Sequence, residues 1–478
     1  MNKRVTQTSY AVRGRVLDAS MRIQARMADG HKYPFDQIIA LNIGNPQALE
    51  QPPLTFNRQV LSLCMYPQLL DTAPPGLFDP EAVERARKYV KCTSGGMGVY
   101  TNSQGMQSVR EEVAAFIAQR DGHPARADRV FLTNGASEGV KLLMQCMLRE
   151  MADGHADGML TPIPQYPLYS ATLTLLGGRL VPYHLVEGRN WGVSIEELRE
   201  SLAVARDDDG VCVRGICIIN PGNPTGSVLT EEQIADIIRL AVEENLVVIA
   251  DEVYQANVWQ QERPFVSFKK VACDLGYTAE PGDHRLQLVS FHSTSKGYMG
   301  ECGVRGGYME LHGISDDIKA QLYKLASLSL CSNTAGQVMM GLMVNPPKEG
   351  DKSHALFAKE RDAILDSMFR RAKLLSDALN TLEGVSCNSV DGALYAFPTI
   401  TLSKKARDIA KERGIPADEY YCLEMLERAG IIFVPGSGFG QAHGTYHFRT
   451  TFLPPENKFP IMLERIKAGH ASFMKDHA

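Results

Sequence analysis

The stretch of sequence that decides the fold is Leu246-Val247-Val248-Ile249-Ala250-Asp251-Glu252-Val253-Tyr254. Its run of five apolar residues, rich in β-branched side chains, predicts a strand that is buried on both faces and ends at an acidic residue. Similar short runs alternate with longer helical patterns in the middle of the chain, at residues 130–133, 158–161, 215–219 and 288–291. This alternation predicts an α/β fold whose large domain has a mainly parallel, mixed sheet flanked by helices.

The C-terminal part of the chain has a different pattern. A long helical stretch near residues 359–382 is followed by short apolar segments and a further helix near residues 420–428, which indicates a smaller α+β domain. Asn345-Pro346-Pro347 and the polar residues after it are typical of a junction. We therefore expect three parts, namely an N-terminal arm with part of the small domain at residues 1–60, a large domain at 61–345 and a C-terminal small domain at 346–478.

Composition excludes several classes of protein. A formal net charge of -5 and a pI near 6.2 give no basic face of the kind that nucleic acids require. The ten cysteines form no C-x-x-C pair, so neither a disulfide framework nor a zinc site is indicated. His443 and His447 lie in a glycine-containing loop without an H-E-x-x-H motif, and we expect no metal. No apolar run reaches the roughly 18 residues of a membrane helix.

Polar or glycine-rich motifs directly follow the predicted strands. Ligands of parallel sheets bind at the carboxyl ends of the strands, so these motifs predict one shared site. The residues that we single out there are Ala136, Ser137, Tyr166, Asn223, Asp251, Tyr254, Ser293, Ser295 and Lys296.

Lys296 is the central candidate because it follows a buried strand, stands next to hydroxyl side chains and precedes Arg305 by nine residues. Desolvation and a neighbouring cation lower the pKa of an amine, which can then form an imine with an aldehyde such as pyridoxal phosphate. Taken alone, Lys296 is more simply a surface lysine. A second alternative is a Ser-x-x-Lys acyl-transfer pair with Ser293, but the accompanying Ser-Asp-Asn and Lys-Thr-Gly tripeptides do not occur in this chain.

The neighbouring motifs supply what the phosphate of such a cofactor needs. A glycine turn opens into a helix at Ala136 and Ser137, which aims backbone N–H groups and the positive end of the helix dipole at one point. Ser293 and Ser295 can donate hydroxyl groups to the same anion, and Arg305 can neutralise it.

Other motifs suit the pyridine ring. Tyr166, in a proline-bounded loop, can stack on the ring, while Asn223 and Tyr254 can donate to its phenolate oxygen. Asp251 lies past the most apolar strand and can pair with the protonated ring nitrogen, although a buried aspartate satisfied by other groups is an equal alternative on its own. Asn223-Pro224 is a candidate for a cis peptide bond.

Together these motifs resemble the fold-type-I pyridoxal-phosphate-dependent aminotransferases, in particular the alanine-type members. The resemblance begins at Tyr10 and extends to the C-terminus, and the segments that carry it best are residues 162–170, 220–226, 291–303 and 434–440. It implies reversible transfer of the amino group from L-alanine to 2-oxoglutarate, giving pyruvate and L-glutamate. The spacing of nine residues between Lys296 and Arg305 departs from the eight of the broader family but agrees with the alanine-type members.

The resemblance also implies roles for individual residues. Lys296 would form the Schiff base and transfer protons, Arg449 would bind the substrate α-carboxylate together with Asn223, and Gly44 would belong to a segment that closes over the substrate. Tyr100 would reach the phosphate in the neighbouring subunit, which implies a homodimer with shared active sites. Since the resemblance starts so early, we expect a cytoplasmic protein, although the basic N-terminal segment leaves a mitochondrial fraction open.

Two related activities remain as alternatives at this stage: an aminotransferase for another small amino acid or keto acid, such as a glutamate–glyoxylate aminotransferase, and a lyase of the aminocyclopropane-carboxylate synthase type. A cofactor-sensing regulator on the same scaffold would need a basic helix-turn-helix module, for which the early start of the resemblance leaves no expected place.

Overall fold

The computed structural model describes residues 1–10, 14–94, 96–149, 155–208, 210–260, 262–278 and 282–478. Residues 11–13, which include Arg13 of the basic N-terminal segment and the first residues of the resemblance after Tyr10, lie outside the described residues. The strands are β1 Ile39–Ala40, β2 Val130–Asn134, β3 Ala156–Ile163, β4 Arg179–His184, β5 Val211–Ile219, β6 Val247–Asp251, β7 Leu288–Ser293, β8 Gly306–His312, β9 Val385–Ser386, β10 Tyr395–Ala396, β11 Thr399–Ile400, β12 Ile431–Ile432, β13 Val434–Pro435 and β14 Phe448–Thr451.

The α-helices lie between these strands and at both ends of the chain. They are α1 Lys3–Gln7, α2 Arg15–Ala28, α3 Thr55–Met65, α4 Leu69–Thr72, α5 Pro80–Cys92, α6 Gln107–Asp121, α7 Ala136–Met147, α8 Leu168–Leu176, α9 Ile195–Ala203, α10 Glu231–Glu243, α11 Phe268–Asp274, α12 Asp316–Leu328, α13 Thr334–Val344, α14 His354–Leu379, α15 Lys404–Glu412, α16 Ala417–Ala429 and α17 Phe459–Asp476.

A seven-stranded sheet with the order β2-β8-β7-β6-β5-β3-β4 forms the centre of the fold. The pairs β4–β3, β3–β5, β5–β6 and β6–β7 are parallel, whereas β8 runs antiparallel to both β7 and β2. The five strands predicted from apolar runs are all present, so the prediction of a mainly parallel, mixed sheet is confirmed. Strands β4 and β8 were not predicted.

Strand β6 shows how the local sequence places a polar group at the edge of this sheet. Helix α10 begins with a capping box, in which the Thr230 side chain and the Gln233 side chain satisfy each other's backbone N–H groups. The chain then turns into β6, where Val248, Ile249 and Ala250 are buried, and the strand ends at Asp251. Apolar packing on both faces therefore holds the Asp251 carboxylate at a fixed place.

The opposite direction of β8 has a consequence for the same edge. The carboxyl ends of β2, β5, β6 and β7 meet there, and β8 begins there because it is antiparallel to its neighbours. Arg305, the residue before β8, is thereby brought to the edge that carries Asp251 and Lys296.

The C-terminal part consists of short strands and long helices, as the sequence predicts. Strands β10, β14 and β13 form one small sheet, and β11 pairs with β9. The N-terminal segment joins this part of the molecule because β1 pairs in parallel with β12, with Ile39 opposite Ile431. Helix α2, in the basic N-terminal segment, buries Val16, Ala19 and Ile23 and exposes its other faces, so it is amphipathic.

Other expectations concern absent features. All ten cysteines are free thiols. Across the described ranges, no group of three or more His, Cys, Asp or Glu side chains is placed to hold a metal ion. None of the helices in the described part of the chain combines the length and the apolar character that crossing a membrane requires.

His292 in β7 generates a prediction for the dependence of stability on pH. Burial, assisted by the positive charge of Arg120, lowers the pKa of His292 to about 3. The unfolded chain binds a proton at this imidazole below about pH 6.5, whereas the folded chain does not until about pH 3, so stability falls as the pH falls through this window. At pH 5 the loss amounts to about 2 kcal/mol.

Between pH 7 and pH 5, we therefore expect the free energy of unfolding of the wild type to fall by about 2 kcal/mol more than that of His292→Phe. Urea unfolding of the cofactor-free protein at both pH values measures this difference. His31→Phe, at an exposed position, serves as the control and should follow the wild type. Equal pH dependence in His292→Phe and the wild type would show that this histidine is not buried in its neutral form.

Candidate active site

A cavity of about 430 Å³ lies at the carboxyl edge of the large sheet. Its walls contain all of the residues singled out from the sequence except Tyr100: Gly44, Ala136, Ser137, Tyr166, Asn223, Asp251, Tyr254, Ser293, Ser295, Lys296, Arg305 and Arg449. Segments from the N-terminal arm, the large sheet and the C-terminal part all contribute to it. The sequence motifs therefore converge on one pocket although they are far apart along the chain.

Lys296 follows β7 and is half-buried in this pocket. Its ammonium donates to the backbone carbonyl of Gly44 at 3.0 Å, and Nζ lies 5.5 Å from the centre of the Tyr254 ring. The amine thus contacts the N-terminal segment on one side and lies near an aromatic ring on the other.

Asp251 is buried at the end of β6. Tyr169 donates its hydroxyl to Oδ2 at 2.8 Å, and the Val253 backbone N–H points at Oδ1 at 3.4 Å. Burial raises the pKa of Asp251 above its ordinary value, even though these hydrogen bonds and the charge of Lys296 act in the opposite direction. The carboxylate therefore accepts hydrogen bonds from neutral donors. A cation bound beside it would offset much of the free-energy cost of its desolvation.

Asn223 and Arg449 form a second polar pair in the pocket. The guanidinium of Arg449, on β14, donates to Asn223 Oδ1 at 3.1 Å and to the Asn42 carbonyl. Because a guanidinium can only donate, this contact fixes the amide so that the Nδ2 group of Asn223 points away from Arg449. Within the described part of the structure, the buried Nε of Arg449 has no hydrogen-bond partner. The Asn223–Pro224 bond is cis.

Arg305 and the start of α7 form a cradle at one end of the pocket. Arg305 donates to Ser137 Oγ at 3.1 Å and to the Asn134 carbonyl at 3.0 Å. Gly135 has a φ of +74°, and a Cβ atom at this position would lie 2.3 Å from an Arg305 guanidinium nitrogen. Only glycine therefore allows the guanidinium to lie against the turn that opens α7.

Tyr166 and Tyr254 line the pocket between these two ends. The Tyr166 hydroxyl is 2.7 Å from the Tyr10 hydroxyl, so the N-terminal arm reaches the predicted stacking residue. Burial, followed by the effect of Tyr10, raises the pKa of Tyr166. Both tyrosines are therefore neutral hydrogen-bond donors at ordinary pH.

Tyr100 lies apart from the cavity. It belongs to the connection between α5 and α6, and its side chain is 76% exposed. The structure of one chain therefore gives this residue no place in its own pocket.

Three residues that line the pocket or contact its lining residues were not singled out from the sequence: Tyr169, Tyr395 and Asn42. Tyr169 stands within the same proline-rich motif as Tyr166, but only the start of α8 directs its hydroxyl to Asp251. Tyr395 and Asn42 come from distant segments, and their sequence contexts are an apolar strand and a loop. No local pattern marks these two residues, because their roles depend on contacts with Arg449.

The arrangement fits pyridoxal phosphate. The buried Asp251 carboxylate, which has neutral partners, matches the ring nitrogen. The Arg305 guanidinium and the N–H groups at the start of α7 match the phosphate. Lys296 matches the aldehyde. The unpartnered Arg449 Nε adds a donor for a carboxylate beside this group.

Comparison with known proteins places the chain in a family. The family model described as "Aminotransferase class I and II" matches residues 71–466, which is most of the chain. A protein named alanine aminotransferase 2 from Panicum miliaceum is 48% identical over 480 residues, covering 100% of this chain and 98% of that protein. A protein named glutamate–glyoxylate aminotransferase 2 from Arabidopsis thaliana is also 48% identical, covering 100% of this chain and 96% of that protein.

Solved structures agree on the fold. A structure titled alanine aminotransferase from Pyrococcus furiosus superposes with a TM-score of 0.76, and the match covers 100% of both chains at 23% sequence identity. At this identity the likeness shows a shared fold and nothing more specific.

The cradle generates a prediction for Gly135→Ala. The added methyl group would displace the Arg305 guanidinium, so a phosphate bound in this cradle would lose a charge-assisted hydrogen bond. We expect the dissociation constant of pyridoxal phosphate to rise about tenfold to a hundredfold. Absorbance titration of the cofactor-free protein measures this change, and the affinity for pyridoxal, which lacks the phosphate, should change little.

Gly122→Ala is a control for this variant. Gly122 has a similar φ of +72°, but a Cβ atom there would meet no atom within 4 Å. Its ψ of 10°, against 163° for Gly135, lies in the left-handed helical region, where alanine is strained less. The variant therefore controls for a methyl group at a positive φ outside the cradle, and its affinity for pyridoxal phosphate should equal that of the wild type. An unchanged affinity in Gly135→Ala would contradict the role of Arg305 at the phosphate.

Proposed function

This chain belongs to the class I and II aminotransferases, and we propose that it transfers the amino group of L-alanine reversibly to 2-oxoglutarate, giving pyruvate and L-glutamate. The observation that carries the proposal is the convergence of Lys296, Asp251 and Arg449 on one pocket. A lysine amine, a carboxylate for a ring nitrogen and a guanidinium for a carboxylate are the groups that transamination of an amino acid needs.

The family depends on pyridoxal phosphate in general, and we propose that this pocket holds it. When bound, the cofactor supplies an aldehyde that condenses with amines and a ring that withdraws electrons from the substrate α-carbon. Arg305, Ser137 and the backbone at Ala136 would bind the phosphate, with Ser293 and Ser295 as further donors. Tyr166 would stack on the ring.

Three side chains would set the electronic state of that ring. The Nδ2 group of Asn223 is directed away from Arg449, and together with the Tyr254 hydroxyl it can donate to the ring oxygen. The Asp251 carboxylate would keep a proton on the ring nitrogen. The positive charge of the ring nitrogen would in turn stabilise the ionised form of Asp251. Burial raises the pKa of this carboxyl, and a neighbouring cation would lower it.

Lys296 Nζ would be both the attachment point and the base. When it is not attached, its amine could hold and move the proton of the substrate α-carbon, because Lys296 lines the pocket beside Tyr254. Arg449 would bind the α-carboxylate, which L-alanine, pyruvate, L-glutamate and 2-oxoglutarate all share. A single pocket can therefore serve both half-reactions in turn, as a ping-pong mechanism requires.

We also propose that the protein acts as a homodimer with shared active sites. Large apolar side chains are exposed together near Tyr100: Val99, Tyr323, Leu328 and Leu330. Hydrogen bonds from Ser103 to the Leu330 carbonyl at 2.8 Å and from Thr101 to Cys331 at 3.5 Å hold the two loops together as one surface. A second copy of the chain would cover this apolar surface and bring Tyr100 to the partner's phosphate.

A second candidate function is glutamate–glyoxylate transamination. Relatives with that name are as similar to this chain as relatives named alanine aminotransferase. Both activities use the same cofactor and the same α-carboxylate site. Steady-state rates with L-alanine or L-glutamate as donor, and with 2-oxoglutarate or glyoxylate as acceptor, separate the two.

The proposed function also implies how the chain is divided into domains. Residues 61–345 would form the large cofactor-binding domain, and residues 346–478 with part of residues 1–60 would form the small domain. The pairing of β1 with β12 supports this grouping of the two ends of the chain.

Lys296→Ala tests the proposed function directly. Without the amine, turnover of L-alanine with 2-oxoglutarate should fall by about 10²-fold to 10⁴-fold. Mass spectrometry after borohydride reduction should find the cofactor attached to Lys296 in the wild type and not attached in the variant. Lys141→Ala, at an exposed position of α7, is the control and should keep both properties. Normal turnover in Lys296→Ala would overturn the assignment.

Leu328→Asp tests the proposed dimer. Leu328 is 80% exposed, and a carboxylate at its place would be desolvated in an apolar interface. We expect this variant to sediment as a monomer at micromolar concentration, where the wild type sediments as a dimer. Leu356→Asp, on the exposed side of α14, should remain dimeric. A monomeric wild type, or an intact dimer in Leu328→Asp, would contradict the assignment of this surface.

A further inference from the structure

Tyr395 occupies a central place in the pocket, and the proposed function gives it no role. It lies on β10, which pairs with β14 so that Tyr395 is opposite Thr451, two residues from Arg449. Its side chain is buried, lines the cavity and extends from the strand to the N-terminal segment. The residue therefore connects three parts of the site.

The ring of Tyr395 lies against the guanidinium of Arg449. The central guanidinium carbon is 4.1 Å from the centre of the Tyr395 ring and 4.8 Å from that of Phe439. A cation over an aromatic face is stabilised most strongly where water is excluded, and Arg449 is only 2% exposed. The two rings therefore restrict the plane in which the guanidinium can lie.

The orientation of this plane decides which N–H groups face the pocket. A guanidinium has five N–H donors, and Arg449 uses two of them on Asn223 and on the Asn42 carbonyl. In the described part of the chain, Nε is left without a partner. Bidentate binding of a carboxylate needs two N–H groups in one plane, so a rotated guanidinium would bind it poorly.

The hydroxyl end of Tyr395 fixes the ring from the other side. A Cβ atom on Gly44 would lie 1.9 Å from this hydroxyl, which shows that the backbone at Gly44 is packed directly against it. The Gly44 carbonyl also accepts the hydrogen bond from Lys296. Burial alone would raise the pKa of the Tyr395 phenol, but the charges of Lys296 and Arg449 lower it, as expected for a ring between two cations.

We propose that Tyr395 is a positioning residue for carboxylate recognition: its ring, anchored at the hydroxyl by Gly44, holds the Arg449 guanidinium in the plane that binds the substrate α-carboxylate. The inference rests on the proposed function, because it takes an amino acid or keto acid as the ligand of Arg449. It adds a positioning residue on β10, the strand that pairs with the β14 strand of Arg449.

The test measures binding of unreactive carboxylates to the holoenzyme. Propanoate and glutarate keep the carboxylates of L-alanine and 2-oxoglutarate but lack the amino or oxo group, and the absorbance of the bound cofactor reports their binding. We expect Tyr395→Leu to raise both dissociation constants about tenfold. Tyr395→Phe, which keeps the ring, should raise them by no more than about twofold to threefold. The affinity for pyridoxal phosphate should stay near that of the wild type in both variants.

A double-mutant cycle with Arg449→Lys separates positioning from a general packing effect. If Tyr395 acts through the guanidinium plane, Tyr395→Leu should lose most of its effect on the dissociation constants when lysine replaces Arg449. A purely structural role would give the same factor in both backgrounds. Tyr395→Met, which keeps more of the side-chain volume, repeats the test in case the leucine variant does not fold.

The outcomes distinguish this inference from the proposed function. If the wild type binds neither carboxylate and transfers no amino group, the proposed function fails and the inference fails with it. If the wild type is active and binds both carboxylates, equal dissociation constants in the leucine or methionine variant overturn the inference alone. The inference is also overturned if Tyr395→Leu raises the dissociation constants by the same factor in the wild-type background and in the Arg449→Lys background.

Discussion

The desolvated carboxylate of Asp251 is the constraint on which the site depends. It stands at the end of a strand that is buried on both faces, and among the described residues its hydrogen bonds come from neutral donors, the Tyr169 hydroxyl and the Val253 backbone N–H. A charge in such a place is costly unless a cation accompanies it. The same sheet that creates this cost also brings Lys296 and Arg305 to the neighbouring positions, so a ligand with a cationic nitrogen and an anionic end suits the pocket.

The direction of one strand makes this combination possible. If β8 ran parallel to β7, its first residue would lie at the far edge of the sheet, and Arg305 would lie far from the start of α7. Because β8 is antiparallel, the guanidinium can contact Ser137 and lie against Gly135. A mixed sheet is therefore a functional requirement of this pocket.

Local patterns predicted the parts of the fold that are built from continuous apolar runs, and they predicted the motifs that follow these runs. They did not predict β8, whose sequence contains two glycines, Glu310 and His312. Glu310 is buried because it pairs with Lys269, 41 residues away. Tyr395 was missed for a similar reason, since its contacts with Arg449 and Gly44 join distant segments. Tyr100 has a role only in the proposed dimer, because its side chain is 76% exposed in one chain.

The pairing of β1 with β12 has a consequence for synthesis. The contact between Arg449 and the Asn42 carbonyl spans 407 residues, and the contact between Lys296 and the Gly44 carbonyl spans 252. A ribosome has to release nearly the whole chain before the contact of Arg449 can form. Lys296 is therefore synthesised well before the last segments of the pocket are in place, and a ligand that needs the whole pocket, such as the proposed cofactor, would bind after translation.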